Sequence, residues 1–189
     1  CVMPEFGLGS STKDGKRQLP VWYFNDMATW HKINLLYTPK TMRDIHSLQR
    51  EAAEPAKLDR YLHLLENRSG HRLAAQVEAA KIQLTDAADA AVRLKEPGLD
   101  LSVPVARSEF ETASNELVRK IETAIDEALT AAGVLAGEIE TVVLTGGGAQ
   151  VPLVRKTATE RFPHARIVNT DRYGAVGLGL ALDAARRFG

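Results

Sequence analysis

The run Thr141-Val142-Val143-Leu144, stopped by Gly146-Gly147-Gly148 and followed by a helical pattern from about Val151 to Arg161, constrains this chain more than any other stretch. Four β-branched or apolar residues bounded by glycine read as a short strand, and the residues after them carry helical spacing. The order repeats downstream: Arg166 to Val168 read as a second strand, and Asn169-Thr170-Asp171 leads into a nearly all-apolar helix from about Gly174 to Arg187. Such a βαβα order predicts apolar strands that want cover on both faces. A glycine run at the carboxyl end of a strand lets backbone N–H groups approach a phosphate or ribose, where the following helix dipole favours negative charge. A tight strand-to-helix turn with no ligand has the same composition, and spacing alone leaves both readings open.

Upstream the pattern changes. Residues 1–20 are rich in Gly, Ser and charge without period and read as a loop or disordered terminus. Residues 21–106 read as a helical subdomain closed by a β-hairpin. It opens with an aromatic cluster (Trp22, Tyr23, Phe24, Trp30), read as local packing in preference to a ligand-stacking platform, where Asn25 or Asp26 caps a short helix to about Asn34. Amphipathic helices follow over Thr41 to Glu51 and Pro55 to Glu66, and a third from about Ser69 carries the stripe Leu73, Val77, Ala80, Leu84. Partial alternation on either side of Pro97-Gly98 predicts the hairpin. Residues 107–189 read as an α/β subdomain holding the glycine turn; its long first helix carries a Ser108/Glu111 capping box and ends at Gly133.

Several function classes fall away on composition. With 24 Lys+Arg against 24 Asp+Glu the formal net charge is zero, which argues against nucleic-acid binding through many phosphate contacts. The single cysteine, Cys1, excludes an internal disulfide framework and fits a cytoplasmic address. No apolar run is long enough for a membrane span. The chain does not open on Met, and it reads as a piece of a longer protein. Neither G-x-G-x-x-G, since Val151 stands at the last glycine position, nor G-x-x-x-x-G-K-[ST], nor G-x-S-x-G occurs. His31, His46, His63, His71 and His164 lack metal-ligand spacing, so no metal site is expected within the chain. The Asn67-Arg68-Ser69 sequon reads as chance. Glu78, Lys81 and Thr85, three and four residues apart, share one face of the third helix; taken alone, the Glu78/Lys81 pair reads as a surface ion pair.

Taken in order, the segment Val77 to Thr85, the hairpin, the long helix, Val143 to Pro152, and Asn169-Thr170-Asp171 before a Gly177-bearing helix resemble the second lobe of the DnaK-type heat-shock chaperone ATPase domain. The aromatic stretch and the helices around Tyr61 to Arg72 are most similar to the YegD-like branch. The resemblance implies a helix-rich mixed α/β (α+β) fold: one lobe of an actin-like, ribonuclease-H-like ATPase domain with a largely helical inserted subdomain. It also implies ATP or ADP as ligand, magnesium held through the other, N-terminal lobe, and chaperone clients or co-chaperones as partners. The family's phosphate loops, catalytic lysine and metal-orienting aspartates have no counterpart here, so hydrolysis by this chain alone is not expected. The parent is expected to be an ATPase.

Residue by residue, the resemblance assigns Glu78 and Lys81 to the ribose hydroxyls and Thr85 to the adenine edge. It assigns Gly146, Gly147 and Gly148 to the turn under ribose and phosphate, Gly148 replacing a usual serine, and Asp171 to the same pocket. Ile82 and Gln150 stand where most members carry the two arginines that flank adenine. Ile82 still offers apolar contact, but cation–π stacking worth about 0.5–2 kcal/mol per arginine is gone, which bears on affinity and base choice. Two alternatives stand beside this reading: the lobe of a related actin-like or sugar-kinase-like phosphotransferase, and a degenerate, non-binding interaction module.

Overall fold

The structure, a computed structural model, describes residues 1–170 and 174–188. The chain divides into two compact units, Cys1–Phe110 and Glu111–Gly189, a boundary four residues beyond the 106/107 division read from the sequence. Among the described residues helix far exceeds strand, and each unit holds one two-stranded sheet. The fold is a helix-rich mixed α/β fold.

In the first unit, apolar spacing decides where helices lie. The aromatic stretch forms α1 (Trp22–Met27) and a 3-10 run Trp30–Leu36, so the helix from Asn25 or Asp26 to Asn34 is corrected: both residues lie inside α1. The buried set Tyr23, Phe24, Met27, Ile33 and Leu36 fixes these turns, whereas Trp22 and Trp30 stay 50% and 61% exposed. The next helices are α2 (Pro39–Glu51) and α3 (Pro55–Glu66), each opened by proline at its first position. Thr38 caps α2, its hydroxyl oxygen accepting the Thr41 N–H at 3.1 Å. Along α3 the buried residues Leu58, Tyr61, Leu62 and Leu65 form one stripe, and Tyr61 donates its hydroxyl to the Tyr23 carbonyl at 2.7 Å.

Helix α4 (Gly70–Gln83) leads into strands β1 (Asp89–Glu96) and β2 (Leu99–Ala106), paired antiparallel with Glu96 opposite Leu99. Gly98 at φ +84° supplies the left-handed position that a tight Pro-Gly turn needs. Val92, Leu94, Leu101, Val103 and Val105 turn one face of the hairpin into the core. Residues 1–20, read as a loop or disordered terminus, are mostly irregular but tied to the core. Met3–Phe6 form a 3-10 turn, Ser11 bridges Gln18 and Thr12 bridges Ala52, and Phe6 is fully buried with Val2 and Leu19 in the same core. Burying a ring of this size contributes about 1.5–3 kcal/mol, enough to anchor a segment whose Gly and Ser content favours loop.

The second unit contains most of α5 (Arg107–Ala132), then β3 (Thr141–Leu144), α6 (Pro152–Arg161), β4 (Arg166–Asn169) and α7 (Ala175–Phe188). Helix α5 opens one residue before Ser108, with the Glu109 carboxylate accepting the Ala106 N–H at 3.1 Å. It closes at Gly133 (φ +66°), whose N–H reaches the Thr130 carbonyl while that of Val134 reaches Leu129, both at 3.1 Å: a Schellman stop. Strands β3 and β4 pair parallel, Thr141 with Arg166 through Leu144 with Asn169. The expected cover on both faces is not found among the described residues of this unit. Val143 is 55% exposed, and Val176, Leu178, Leu180 and Leu182 of α7 are all more than half exposed. Among the described residues the two strands pair only with each other, so the sheet is too narrow to be buried as a longer parallel sheet would be.

Candidate functional site

The candidate residues of the first unit lie on the last turns of α4. Glu78 and Lys81, one turn apart, form an ion pair at 2.6 Å with side chains 57% and 32% exposed. At that exposure the pair contributes only a few tenths of a kcal/mol to stability, so its worth as a pair is chemical: a carboxylate acceptor and an ammonium donor held together. Thr85, half-buried, sits just past the helix end with its N–H on the Ile82 carbonyl at 3.0 Å. Ile82 itself is 45% exposed, an apolar surface beside the polar pair.

One residue that the sequence reading passed over fixes this end of α4. Arg107 donates from Nε to the Leu84 carbonyl at 2.8 Å and from Nη2 to the Thr85 carbonyl at 3.3 Å. A guanidinium on the terminal carbonyls satisfies acceptors that the helix leaves open and matches its negative pole. The sequence offered no local signal for it, because Arg107 and Leu84 are 23 positions apart.

The candidate residues of the second unit form the turn after β3. Gly146 has φ +78°, which only glycine adopts without strain. Gly148–Gln150 make a 3-10 turn, closed by the Gln150 N–H on the Gly147 carbonyl, and Pro152 then opens α6 with no side chain capping its first turn. Because β3 and β4 run parallel, this turn lies at the carboxyl edge of the sheet, where open α/β sheets take ligands. Gly147 and Gly148 have negative φ, and a Cβ built on either would meet nothing within 4 Å. Neither backbone conformation nor packing within the unit therefore demands glycine there, and the space in front of them is open to a group that must approach the main chain closely. Gln150 is half-buried. Asp171 lies outside the described residues.

A second contact missing from the sequence reading ties the same edge together: Arg155 of α6 donates from Nη1 to Asn169 Oδ1, at the end of β4, at 2.8 Å. Each unit thus carries one set of the predicted residues. Among the described residues no three His, Cys, Asp or Glu side chains gather as metal ligands, and no helix is long and apolar enough to cross a membrane.

Comparison with known proteins supplies what geometry cannot. Residues 46–188 match the family described as Hsp70 protein. The chain is 34% identical over 107 residues to the chaperone protein HscA homolog of Bordetella petrii, covering 56% of this chain and 17% of that protein. It is 30% identical over 122 residues to the chaperone protein dnaK1 of a Synechocystis species, covering 60% and 17%. To the chaperone protein DnaK of Deinococcus radiodurans it is 31% identical over 124 residues, covering 60% and 19%. The chain therefore spans about a fifth or less of the length of these relatives.

Proposed function

Since the chain belongs to the Hsp70 protein family, we propose that it is the second lobe of an Hsp70-type chaperone ATPase domain and supplies adenosine-side contacts to ATP or ADP. The observation that carries this reading is the glycine turn. At the carboxyl edge of the parallel pair, Gly147 and Gly148 are glycine where neither φ nor packing calls for it, and the open space in front of them leaves room for a ribose or phosphate. Residues 77–85 and 143–152, which carry the resemblance, both fall inside the matched family region.

In this reading each unit carries its own contacts. Glu78 accepts hydrogen bonds from ribose hydroxyls and Lys81 donates to them, Thr85 faces the adenine edge, and the Gly146–Gly148 turn lies under ribose and phosphate, with Gln150 and Asp171 in the same pocket. Ile82 offers the base an apolar surface in place of a cation, and the aromatic stretch with the helices around Tyr61 to Arg72 supports the YegD-like branch. Magnesium is held through the other lobe, so the chain alone binds without hydrolysing. The full-length protein hydrolyses ATP in the cytoplasm, with client proteins and co-chaperones as partners.

The test is binding of a fluorescent ADP analogue to the 189-residue chain. Gly147→Asp puts a carboxylate into that space; binding should fall by more than about tenfold, like charge against phosphate costing at least about 1.4 kcal/mol. Equal binding by the parent and the variant would overturn the reading.

A further inference from the structure

Helix α4 ends without the left-handed glycine that closes α5. Its cap, Leu84, keeps helical backbone (φ −66°, ψ −7°), and Thr85 and Asp86 continue as turn. A helix leaves its last carbonyls without donors of its own, and an end with no local stop frays. The donors here come from Arg107, the first residue of α5, which follows β2 directly. Its Nε donates to the Leu84 carbonyl at 2.8 Å and its Nη2 to the Thr85 carbonyl at 3.3 Å, while its backbone N–H donates to the Ala88 carbonyl at 2.7 Å. A planar, permanently charged fork thus spans two successive carbonyls at the negative pole of α4, and the backbone behind it is pinned to the same segment. All of these groups lie within the first unit.

The segment so held carries Thr85, with Lys81 and Ile82 on the turn before it. Hydrogen bonds weaken steeply with misalignment, and the edges of adenine and guanine differ by an exchange of donors and acceptors. A hydroxyl tells the two bases apart only when it is fixed in place, and one fixed during folding costs no ordering when the base arrives. We propose that Arg107 is a positioning residue for the base: it touches no ligand itself, and by holding the Leu84 and Thr85 carbonyls it sets Thr85 where the base edge is read. This role rests on the nucleotide reading and adds to it the group that sets base preference.

The test is calorimetric binding of ADP and of GDP to the 189-residue chain and to variants at Arg107 and Thr85. Arg107→Ala should weaken ADP by about three- to tenfold and GDP by less, so that the preference for ADP falls. Arg107→Lys keeps the charge but not the planar fork; it should weaken ADP by about twofold, and it carries the test if the alanine protein does not fold. Because Arg107 acts through Thr85, adding Arg107→Ala to Thr85→Val should leave the preference of that variant unchanged. Arg60→Ala, which deletes another arginine of the first unit from its 2.7 Å pair with Glu5, should leave both affinities as they are in the parent. A parent chain that binds neither nucleotide overturns the nucleotide reading and this role with it. A parent that binds ADP, with Arg107 variants that keep its affinity and its preference, overturns this role alone. So does an equal loss for both nucleotides, which is what a loosened fold would give.

Discussion

Gly70 is the residue whose side chain matters most by being absent. A Cβ there would stand 2.6 Å from Ile33 Cγ2, 2.8 Å from Met27 Sδ and 2.9 Å from Tyr37 Oη, while its N–H already donates to that hydroxyl at 3.0 Å. All three neighbours belong to the core or its edge, so Gly70→Ala should cost about 1–3 kcal/mol despite the better helix propensity of alanine. Urea unfolding followed by circular dichroism checks this, the midpoint moving down. A helix start at this point is legible in the sequence; the collision is not, because Ile33 and Met27 lie about forty residues away. The nucleotide reading makes its own claim at this scale. Ile82 is 45% exposed, at the position that the resemblance assigns to an arginine on adenine. Ile82→Arg should restore cation–π stacking of about 0.5–2 kcal/mol and strengthen ADP binding by about two- to thirtyfold, measured by calorimetry.

Elements were legible where apolar spacing was strong. The bounds of α3 and β3 match the sequence reading, and the Pro97-Gly98 turn lies where composition predicts it. The misses share a cause: packing between segments distant in sequence. Phe6 anchors a terminus that local composition assigns to loop, and Tyr23 and Phe24 pull the start of α1 back to Trp22. That packing leaves a mark in pH. Burial first, and then the Asp44 carboxylate that accepts the Tyr23 hydroxyl proton at 3.2 Å, push the Tyr23 phenol up from 10.0 to about 12. Burial raises Tyr37 and Tyr61 as well. A group held neutral in the folded state and ionised in the unfolded one contributes stability that is present below pH 10.0 and is lost as pH rises through the folded value. Alkaline denaturation monitored by circular dichroism should therefore set in between pH 10.0 and about 12. Tyr23→Phe should make that decline shallower.

At the scale of the whole molecule, the sequence carried the fold class, the βαβα order and the family resemblance, since these rest on period and motif. It did not carry the exposure of the second unit. Apolar β3 and α7 predict cover on both faces, and the described residues of that unit supply too few strands to give it. Nor did it carry Arg107 at the end of α4 or Arg155 on Asn169, contacts that only the folded chain creates. The relatives are more than five times longer than the stretch they share with this chain, so the central claim is local: each unit carries preformed contacts for an adenine nucleotide. The most direct test is a heteronuclear NMR titration of the 189-residue chain with ADP, with adenosine and GDP as comparisons. The account predicts shifts at Glu78, Lys81, Thr85 and Gly146 to Gly148, larger for ADP than for GDP. Millimolar ADP that leaves these amides unmoved would contradict it.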